Sequence, residues 1–289
     1  MKAIVFGGSG FLGSHVADEL SNNNFEVIIA DIKESLYISK KQIFKYVDIL
    51  DLNSVIQAVA GCDIVYNFAG LADINIAISE PLKTVKLNIL GNTNILEACR
   101  LSNIKRYIYA SSAYVFSQKG SFYGISKQAS EKMIEEYNEQ FNLEYTIIRY
   151  GSVYGPRADK QNRIYCLIKE ALESNTITYK GTGNEVREYI HVKDAAKLSV
   201  EILNESYKNE HIILTGIEKH TYKELLNIIK EIINDDIVIT YSNENYKGHY
   251  EFSPYSLYHP KVGKKIVNNP YIDFGQGLLE IMIDIQNKG

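Results

Sequence analysis

Apolar and polar positions follow two alternating patterns along the first 150 residues of the chain. Short runs of consecutive apolar residues predict buried strands, and stretches with an apolar position every three or four residues predict amphipathic helices. The predicted strands cover residues 2–6, 26–30, 43–47, 63–68, 106–110 and 144–149. The predicted helices cover residues 14–22, 52–60, 84–102 and 123–140. Strands that alternate with helices in this way predict a doubly wound parallel sheet.

The remaining residues show a different, less regular pattern. Residues 151–157 form a predicted loop, after which shorter elements follow. Helices are predicted at 164–173, 194–203, 222–233 and 277–286, and strands at 177–180, 188–191, 211–214 and 237–241. The expected fold is therefore α/β, a Rossmann-type sheet with a smaller α+β C-terminal substrate domain. We assign residues 1–150 and about 187–215 to the cofactor domain, and residues 151–186 and 216–289 to the substrate domain.

The turn between the first strand and the first helix is rich in glycine, with the sequence Gly7-Gly8-Ser9-Gly10-Phe11-Leu12-Gly13. Gly7 permits a tight turn, Gly10 lets the backbone approach a pyrophosphate, and Gly13 allows the helix to pack closely on the strand. The free N–H groups of the helix N-terminus favour bound phosphate. This context predicts dinucleotide binding through Gly7, Gly10, Phe11, Leu12 and Gly13. The alternative is a glycine-rich turn of another α/β protein.

Acidic residues at the ends of the second and third strands extend this prediction. Asp31, followed by Ile32, comes about 20 residues after the glycines, where a carboxylate can bind both adenosine ribose hydroxyls. Because a carboxylate repels a 2′-phosphate, we expect NAD rather than NADP; the alternative is an ordinary loop aspartate. Asp48 and Ile49 can bind the adenine amino group and cover its ring, although the nearby Asp51 weakens this assignment.

Small residues after the fourth strand allow the chain to pass beneath a cofactor. Phe68, Ala69 and Gly70 form this segment. Asn88 on the following helix is a candidate to join neighbouring loops at the cofactor site, or is simply a polar helix residue.

Three polar residues form a candidate proton-transfer site. Tyr123 and Lys127 are four residues apart and share one helix face. Ser112 ends the fifth strand, at the sheet edge where ligands bind in this architecture. The lysine charge favours tyrosinate, so Tyr123 can accept a proton from a substrate hydroxyl while Ser112 binds the oxygen. Lys127 also reaches the nicotinamide ribose.

Composition excludes several other classes of protein. The chain has 289 residues and a net charge of −4 with no basic block, so we expect no nucleic-acid partner. No apolar run approaches the length of a membrane helix, and glycines interrupt the first apolar run, which argues against a signal peptide. Cys62, Cys99 and Cys166 have no disulfide or metal spacing, so we expect no metal and a cytoplasmic location.

Together these residues resemble the extended short-chain dehydrogenases/reductases that act on nucleotide sugars, the NAD-dependent epimerase/dehydratase group. The motifs that carry the resemblance are Gly7–Gly13, Asp31, Asp48-Ile49, Asn67-Phe68-Ala69-Gly70, Ser111-Ser112, Tyr123 with Lys127, RYGSVYGPR at 149–157 and REYIHVKD at 187–194. The resemblance implies that Tyr150 and Val153 line the nicotinamide side of the cofactor. It also implies that Ser152, Arg157 and Arg187 lie near the sugar nucleotide, with Arg187 on the pyrophosphate.

Departures from the family pattern narrow the expected reaction. Ala113 and Tyr114 follow Ser112 where dehydratases have an Asp-Glu pair, so dehydration is disfavoured. Tyr123 follows Ser112 by only eleven positions, and this short connection implies a more open sugar site. No arginine follows Arg187, so a second phosphate contact must come from the backbone or from one of three residues, Lys247, His249 or Lys261.

We therefore expect an NAD-dependent enzyme that oxidises C4 of a nucleotide sugar. The open site favours release of the keto product, or entry of a second carbonyl compound that reoxidises NADH. The chain is similar to bacterial capsule-pathway enzymes that oxidise GDP-linked heptose. The alternative is a nucleotide-sugar 4-epimerase of the UDP-glucose/galactose type. Two non-enzymatic alternatives fit less well. The intact Ser112, Tyr123 and Lys127 argue against an NAD-binding regulator, and the acidic balance without a basic patch argues against a scaffold or RNA-binding protein. The resemblance also implies a homodimer formed by helices 84–102 and 123–140.

Overall fold

The computed structural model describes residues 1–117, 119–242, 263–266 and 272–288. Strands occur along the whole length of this described chain. In chain order they are β1 (Lys2–Phe6), β2 (Glu26–Asp31), β3 (Gln42–Tyr46), β4 (Ile64–Asn67), β5 (Arg106–Ser112), β6 (Tyr145–Tyr150), β7 (Ser152–Tyr154), β8 (Thr176–Lys180), β9 (Val186–His191), β10 (Glu210–Leu214), β11 (Glu218–Thr221), β12 (Val238–Ser242) and β13 (Lys264–Lys265).

Helices connect most of these strands. They are α1 (Phe11–Asn22), α2 (Leu52–Val59), α3 (Ile74–Ser79), α4 (Pro81–Val85), α5 (Gly91–Leu101), α6 (Ser121–Phe141), α7 (Arg163–Ser174), α8 (Val192–Glu201), α9 (Tyr222–Ile233) and α10 (Phe274–Lys288). A π-helical segment, Lys86–Leu90, joins α4 to α5, and short 3₁₀ turns cover Ala113–Phe116 and Glu205–Tyr207.

The central sheet of the described chain has eight strands in the order β13-β10-β6-β5-β4-β1-β2-β3. All neighbouring strands in it are parallel. Strand order runs outward from β1 in both directions, so the carboxyl ends of β1 and β4 meet at a point where the chain changes direction. This topology confirms the predicted Rossmann-type α/β fold, and the switch point is where such sheets bind ligands.

Both faces of the central sheet are covered by helices, which explains the uninterrupted apolar runs in its strands. Along β1, Ile4 and Phe6 pack into a cluster with residues of α2, α5 and α6. Ala3 and Val5 point to the opposite face and pack with residues of α1 and α8. Because both faces of such a strand are buried, its apolar residues do not alternate with polar ones. The helices that cover the strand must therefore lie on both sides of the sheet.

The second half of the chain forms two smaller sheets. In one, β9 lies between the antiparallel β11 and the parallel β7; in the other, β12 and β8 are parallel. A separate apolar cluster packs α7, α9 and α10 around these strands. Strand β10 returns to the central sheet beside β6. The division into a cofactor domain and a substrate domain stays a prediction.

Several local features differ from the sequence-based prediction. The segment 151–157, predicted as a loop, contains β7, because residues 152–154 pair with β9 more than 30 positions away in sequence. The short elements α3 and β11 have no predicted counterpart. The single helix predicted for 84–102 begins at Pro81 and is interrupted by the π-helical segment. Isolated π turns of this kind often occur at functional sites.

Two features are absent from the described residues. None of the helices in these parts of the chain is both long and apolar enough to cross a membrane. The same residues contain no group of three or more His, Cys, Asp or Glu side chains that could hold a metal ion.

Two buried histidines link α1 and α8 to their surroundings and predict acid sensitivity. The His15 Nε2 atom lies 3.0 Å from the Pro156 carbonyl oxygen, and His191 caps α8 through its Nδ1 atom. Burial, reinforced by the Arg157 charge, lowers the pKa of His15 to about 4. Burial also lowers the pKa of His191 to about 4, despite the Glu280 carboxylate 3.4 Å away.

We therefore expect the free energy of unfolding to fall as the pH decreases from about 6.5 to about 4. In this window the unfolded chain, with ordinary histidine pKa values, binds protons that the folded chain excludes. Urea unfolding at several pH values measures the slope. His15→Asn should flatten it, whereas the matched change at the partly exposed His220 should not. An unchanged slope in the His15 variant would contradict the prediction.

Candidate active site

The glycine-rich turn forms a tight passage between β1 and α1. Gly7 has a φ of +72°, and a Cβ there would lie 2.6 Å from the Ala69 nitrogen. A Cβ on Gly13 would collide with the Gly7 carbonyl oxygen. No side chain caps α1, and its first turn carries no acidic residue. The N-terminal N–H groups of the helix are therefore available to phosphate oxygens, and this turn fits a dinucleotide.

Asp31 is held beside this turn by backbone groups. Its Oδ2 accepts a hydrogen bond from the Ser9 N–H at 3.1 Å, and its Oδ1 accepts one from the Lys33 N–H at 3.3 Å. The neighbouring Ile32 is exposed. A carboxylate at the end of β2, next to an open helix N-terminus, has the placement needed to bind an adenosine ribose.

Asp48 and Ile49 follow β3 and form part of a turn. The Asp48 Oδ1 accepts a hydrogen bond from the Leu50 N–H at 2.9 Å. Ile49 is buried against Gly91 of α5, and its carbonyl accepts a hydrogen bond from the Asn94 side chain. Both residues follow the carboxyl end of β3, and their binding to adenine stays a prediction.

Asn88 lies in the π-helical segment and fixes the loop after β4. Its Oδ1 accepts from the Leu71 N–H at 2.7 Å, while its Nδ2 donates to the Leu71 carbonyl and to the Ser126 hydroxyl, both at 2.9 Å. A Cβ on Gly70 would lie 2.6 Å from the Asn88 Oδ1. Asn88 therefore joins this loop to α6 with its amide hydrogens already in use. Its predicted contact with the cofactor stays a prediction.

The residues preceding that loop are positioned by a buried polar group on β4. The Asn67 side chain accepts a hydrogen bond from the Ala69 N–H at 3.0 Å and donates to the Tyr107 hydroxyl at 2.9 Å. Phe68 stacks on the Tyr66 ring, with centroids 6.2 Å apart. The path of residues 68–70 beside Gly7 is thus fixed from both sides.

The structure brings the candidate catalytic residues to the end of β5. Ser112 is the last residue of that strand, and its hydroxyl accepts a hydrogen bond from the Tyr114 N–H at 3.3 Å. Tyr123 and Lys127 lie one turn apart near the start of α6. The Lys127 Nζ donates to the Ala110 carbonyl at 2.7 Å, two residues before Ser112. Tyrosine, lysine and serine therefore meet at one edge of the sheet.

Lys127 is a buried cation next to two tyrosine rings. Its Nζ lies 4.6 Å from the Tyr109 ring centroid and 5.8 Å from the Tyr123 ring centroid. Burial lowers the pKa of Lys127 to about 8, and the Glu131 carboxylate partly opposes this effect. A positive charge this close to Tyr123, in a site with little water, favours the phenolate form of the tyrosine.

The residues that the family resemblance assigned to nicotinamide and substrate lie in different surroundings. The Tyr150 hydroxyl is buried 2.6 Å from the Ser199 hydroxyl of α8, and Ser152 and Val153 lie in β7. Arg157 pairs with Asp18 of α1 at 2.7 Å and covers the Tyr37 ring. These contacts join Arg157 to α1 and to the segment between β2 and β3, and its role in substrate binding stays a prediction.

Arg187 is buried among residues of the smaller sheets. Its Nη1 donates to the Val186 carbonyl at 2.8 Å, and its guanidinium carbon lies 5.7 Å from the Tyr222 ring centroid. Its assignment to the pyrophosphate stays a prediction. The three candidates for the second phosphate contact, Lys247, His249 and Lys261, lie outside the described residues.

The site also contains residues that the sequence analysis did not identify. Tyr114 packs edge-on against the Tyr123 ring, with centroids 6.2 Å apart. Arg163, at the start of α7, lines a cavity with Tyr114. Glu131, one helical turn after Lys127 in α6, forms an ion pair with Arg149. Sequence spacing gives no signal for Arg163 because it is far from Tyr114 in the chain, whereas Glu131 continues the four-residue spacing of Tyr123 and Lys127.

Comparisons with known proteins identify the family. Residues 3–215 match the sequence profile of the NAD dependent epimerase/dehydratase family. A protein of Methanocaldococcus jannaschii named putative UDP-glucose 4-epimerase is 33% identical over 253 residues, covering 80% of this chain and 82% of that protein. The chain belongs to the NAD dependent epimerase/dehydratase family.

Solved structures agree with the fold expected for this epimerase/dehydratase family. UDP-glucose 4-epimerase of Thermotoga maritima, solved with UDP-glucose, has a TM-score of 0.86 at 24% identity and covers 100% of this chain and 99% of that one. UDP-glucuronic acid 4-epimerase of Bacillus cereus, solved with UDP-glucuronic acid and NAD, has a TM-score of 0.86 at 23% identity over 100% of both chains.

Membership of the NAD dependent epimerase/dehydratase family confirms three predictions. The protein is an enzyme, its cofactor is NAD, and its reaction belongs to the nucleotide-sugar epimerase/dehydratase class. The cofactor prediction rested on Gly7–Gly13 and Asp31, and the structure gives those residues a geometry that fits NAD.

Proposed function

We propose that the protein is an NAD-dependent 4-epimerase of a UDP-hexose. The observation that carries this proposal is the 33% identity, over four-fifths of the chain, with a protein named putative UDP-glucose 4-epimerase. The grouping of Ser112, Tyr123 and Lys127 at the ligand-binding edge of the sheet supports it, because C4 chemistry requires proton transfer at a sugar hydroxyl.

The side chains of this site divide the proton chemistry among them. When bound, NAD supplies a reversible acceptor for the hydride of the sugar carbon. Tyr123 takes the proton of the C4 hydroxyl, and Ser112 donates a hydrogen bond to the same oxygen. Lys127 holds its positive charge beside the Tyr123 ring, 5.8 Å from the ring centroid, and so stabilises the phenolate that this transfer requires.

Epimerisation differs from the C4 oxidation with product release that the sequence analysis favoured. An epimerase must retain the 4-keto sugar while the sugar rotates in the pocket, whereas a dehydrogenase releases the 4-keto sugar. The short connection between Ser112 and Tyr123 was the argument for release. The similarity to a UDP-glucose epimerase favours retention, and no relative described above acts on GDP-heptose. UDP-hexose epimerisation is therefore the better-supported reaction.

A single assay distinguishes the two reactions. We expect the NAD-loaded protein to convert UDP-galactose to UDP-glucose, and the reverse, without net formation of NADH. Proton NMR of the sugar follows inversion at C4, and absorbance follows NADH. Stoichiometric NADH with a free 4-keto sugar would instead indicate the dehydrogenase. Absence of both products with UDP-hexoses would contradict the proposal.

We also propose that the active protein is a cytoplasmic homodimer. Apolar side chains remain exposed on the helices from α4 to α6, among them Leu82, Leu90, Leu101, Ile125 and Phe141. Helices that expose such residues commonly pair across a two-fold axis. A monomer in analytical ultracentrifugation would contradict the dimer.

The cytoplasmic location rests on the three free cysteines, which suit a reducing compartment.

A further inference from the structure

A cavity of about 250 Å³ adjoins the candidate catalytic residues. It lies between the loop after β4 and the N-terminal end of α7, with Asp73, Tyr114, Lys160 and Arg163 in its wall. Tyr114 connects the cavity to the catalytic centre, since it follows Ser112 by two residues and packs against the Tyr123 ring. A sugar nucleotide bound at Tyr123 could therefore extend into this space.

Arg163 has unmet hydrogen-bonding capacity in this cavity wall. Its guanidinium carbon lies 5.7 Å from the Tyr179 ring centroid. Its Nε and Nη2 atoms are enclosed, yet they have no hydrogen-bond partner among the described residues. Enclosed guanidinium N–H groups without a hydrogen-bond partner are costly, so an anionic partner from outside the chain would stabilise these two groups.

Among the described residues of the wall, the Asp73 carboxylate is already engaged elsewhere. The Asp73 Oδ1 caps α3 by accepting a hydrogen bond from the Ile76 N–H at 2.9 Å. Lys160 adds a second positive charge to the cavity. Across the described part of the wall, two cations face one capping carboxylate, and this net positive charge favours an anionic ligand.

The surroundings of Arg163 hold it in place. Asn162 caps α7 through its Oδ1, and its Nδ2 donates to the Val153 carbonyl of β7 at 2.9 Å. Tyr179 in turn stacks on Tyr222, with ring centroids 4.5 Å apart, and the Arg187 guanidinium carbon lies 5.7 Å from the Tyr222 ring centroid. Each arginine thus contacts one ring of this tyrosine pair, and Arg163 is the one that lines the cavity.

We propose that Arg163, with Lys160, binds an anionic group of the nucleotide sugar. This inference rests on the proposed function, which supplies the ligand class. The anion is either the pyrophosphate or a carboxylate on the sugar ring; both offer paired oxygens that match a guanidinium fork. Arg163 is then a substrate-specificity residue. If it binds the pyrophosphate, Arg163 of α7 supplies the second phosphate contact for which no arginine follows Arg187.

The test compares ligands that differ only in the sugar carboxylate. Calorimetric titration of the NAD-loaded protein with UDP-glucose and with UDP-glucuronic acid gives a Kd for each. We expect Arg163→Gln to raise Kd by about tenfold to a hundredfold for any ligand whose anion it contacts. Arg163→Lys, which keeps the charge, should recover part of the loss. Lys169→Gln removes an exposed charge from the same helix and serves as the control.

The pattern of loss identifies the anion. Weakening with UDP-glucuronic acid alone would assign Arg163 to a sugar carboxylate, and equal weakening with both ligands would assign it to the pyrophosphate. Unchanged Kd values in a folded Arg163→Gln protein would overturn the inference, as would failure of the unaltered protein to bind either ligand. C4 inversion by the unaltered protein with unchanged Kd in the variant would overturn the subsite and leave the proposed function standing. Lost binding in the variant, without any C4 inversion by the unaltered protein, would support the subsite and overturn the proposed function.

Discussion

Replacing Tyr123 by phenylalanine is expected to lower kcat for the sugar by about two to four orders of magnitude while leaving NAD bound. The change removes only the phenolic hydroxyl, which is the group proposed to take the substrate proton. General acid–base groups contribute about 10²–10⁴-fold to rate, so kcat should fall within that range. The ring itself packs with Leu71, Ile74 and Ala77, and phenylalanine preserves that packing. The glycine turn and Asp31 lie on other elements, so cofactor affinity should be unaffected.

The same helix offers a matched control for this change. Tyr137 carries a hydroxyl 3.2 Å from the Glu97 carboxylate, and it is three turns beyond Lys127. Tyr137→Phe should leave kcat unchanged. Turnover is measured by C4 inversion of UDP-galactose, and bound cofactor by the NAD released on denaturation. A Tyr123→Phe enzyme with near-normal kcat would show that another group accepts the proton. Loss of NAD from that variant would show that Tyr123 supports the cofactor site itself.

Local sequence patterns predict the parts of this site that are formed by neighbours in the chain. The glycine turn, Asp31 and the Tyr123–Lys127 pair each depend on a strand or helix whose apolar pattern is uninterrupted. Because both faces of the sheet are covered, the strands read as continuous apolar runs and their bounds agree within two residues. The helix α6 is similarly long and periodic, and its prediction is correct to within two residues at each end.

Contacts between distant residues explain what the sequence pattern could not predict. The strands β7 and β11 have three and four residues, and each exists because β9 lies beside it. Asn88 fixes a loop seventeen positions away, and this contact lies in the π turn that interrupts the predicted helix. Arg163 acquires its place beside Tyr114 only when α7 packs against the loop after β4. None of these partners is visible within a window of local sequence.

The buried pair of Glu131 and Arg149 predicts the largest effect on stability. The Arg149 Nη2 lies 2.7 Å from Glu131 Oε2, and its Nε lies 3.0 Å from Oε1. Both side chains are almost wholly buried. Ser111 donates to the same carboxylate, and His211 accepts from Arg149 at 2.6 Å. Breaking such a pair leaves one charge buried without compensation, which costs about 3–5 kcal/mol.

Glu131→Gln should therefore lower the free energy of unfolding by about 3–5 kcal/mol, measured by urea unfolding of the NAD-free protein. Glu80→Gln, which breaks an exposed pair with Lys83, is the control and should cost at most about 1 kcal/mol. Replacing Glu131 by glutamine and Arg149 by methionine together should cost less than the two single changes combined, since no unpaired charge remains. A loss near that of the control would mean that Arg149 finds another partner.

The Glu131 carboxylate also raises the pKa of Lys127, so its removal should lower that pKa and make Lys127 lose its charge more easily. As the pH rises, the Glu131→Gln variant should therefore lose activity at a lower pH than the unaltered enzyme.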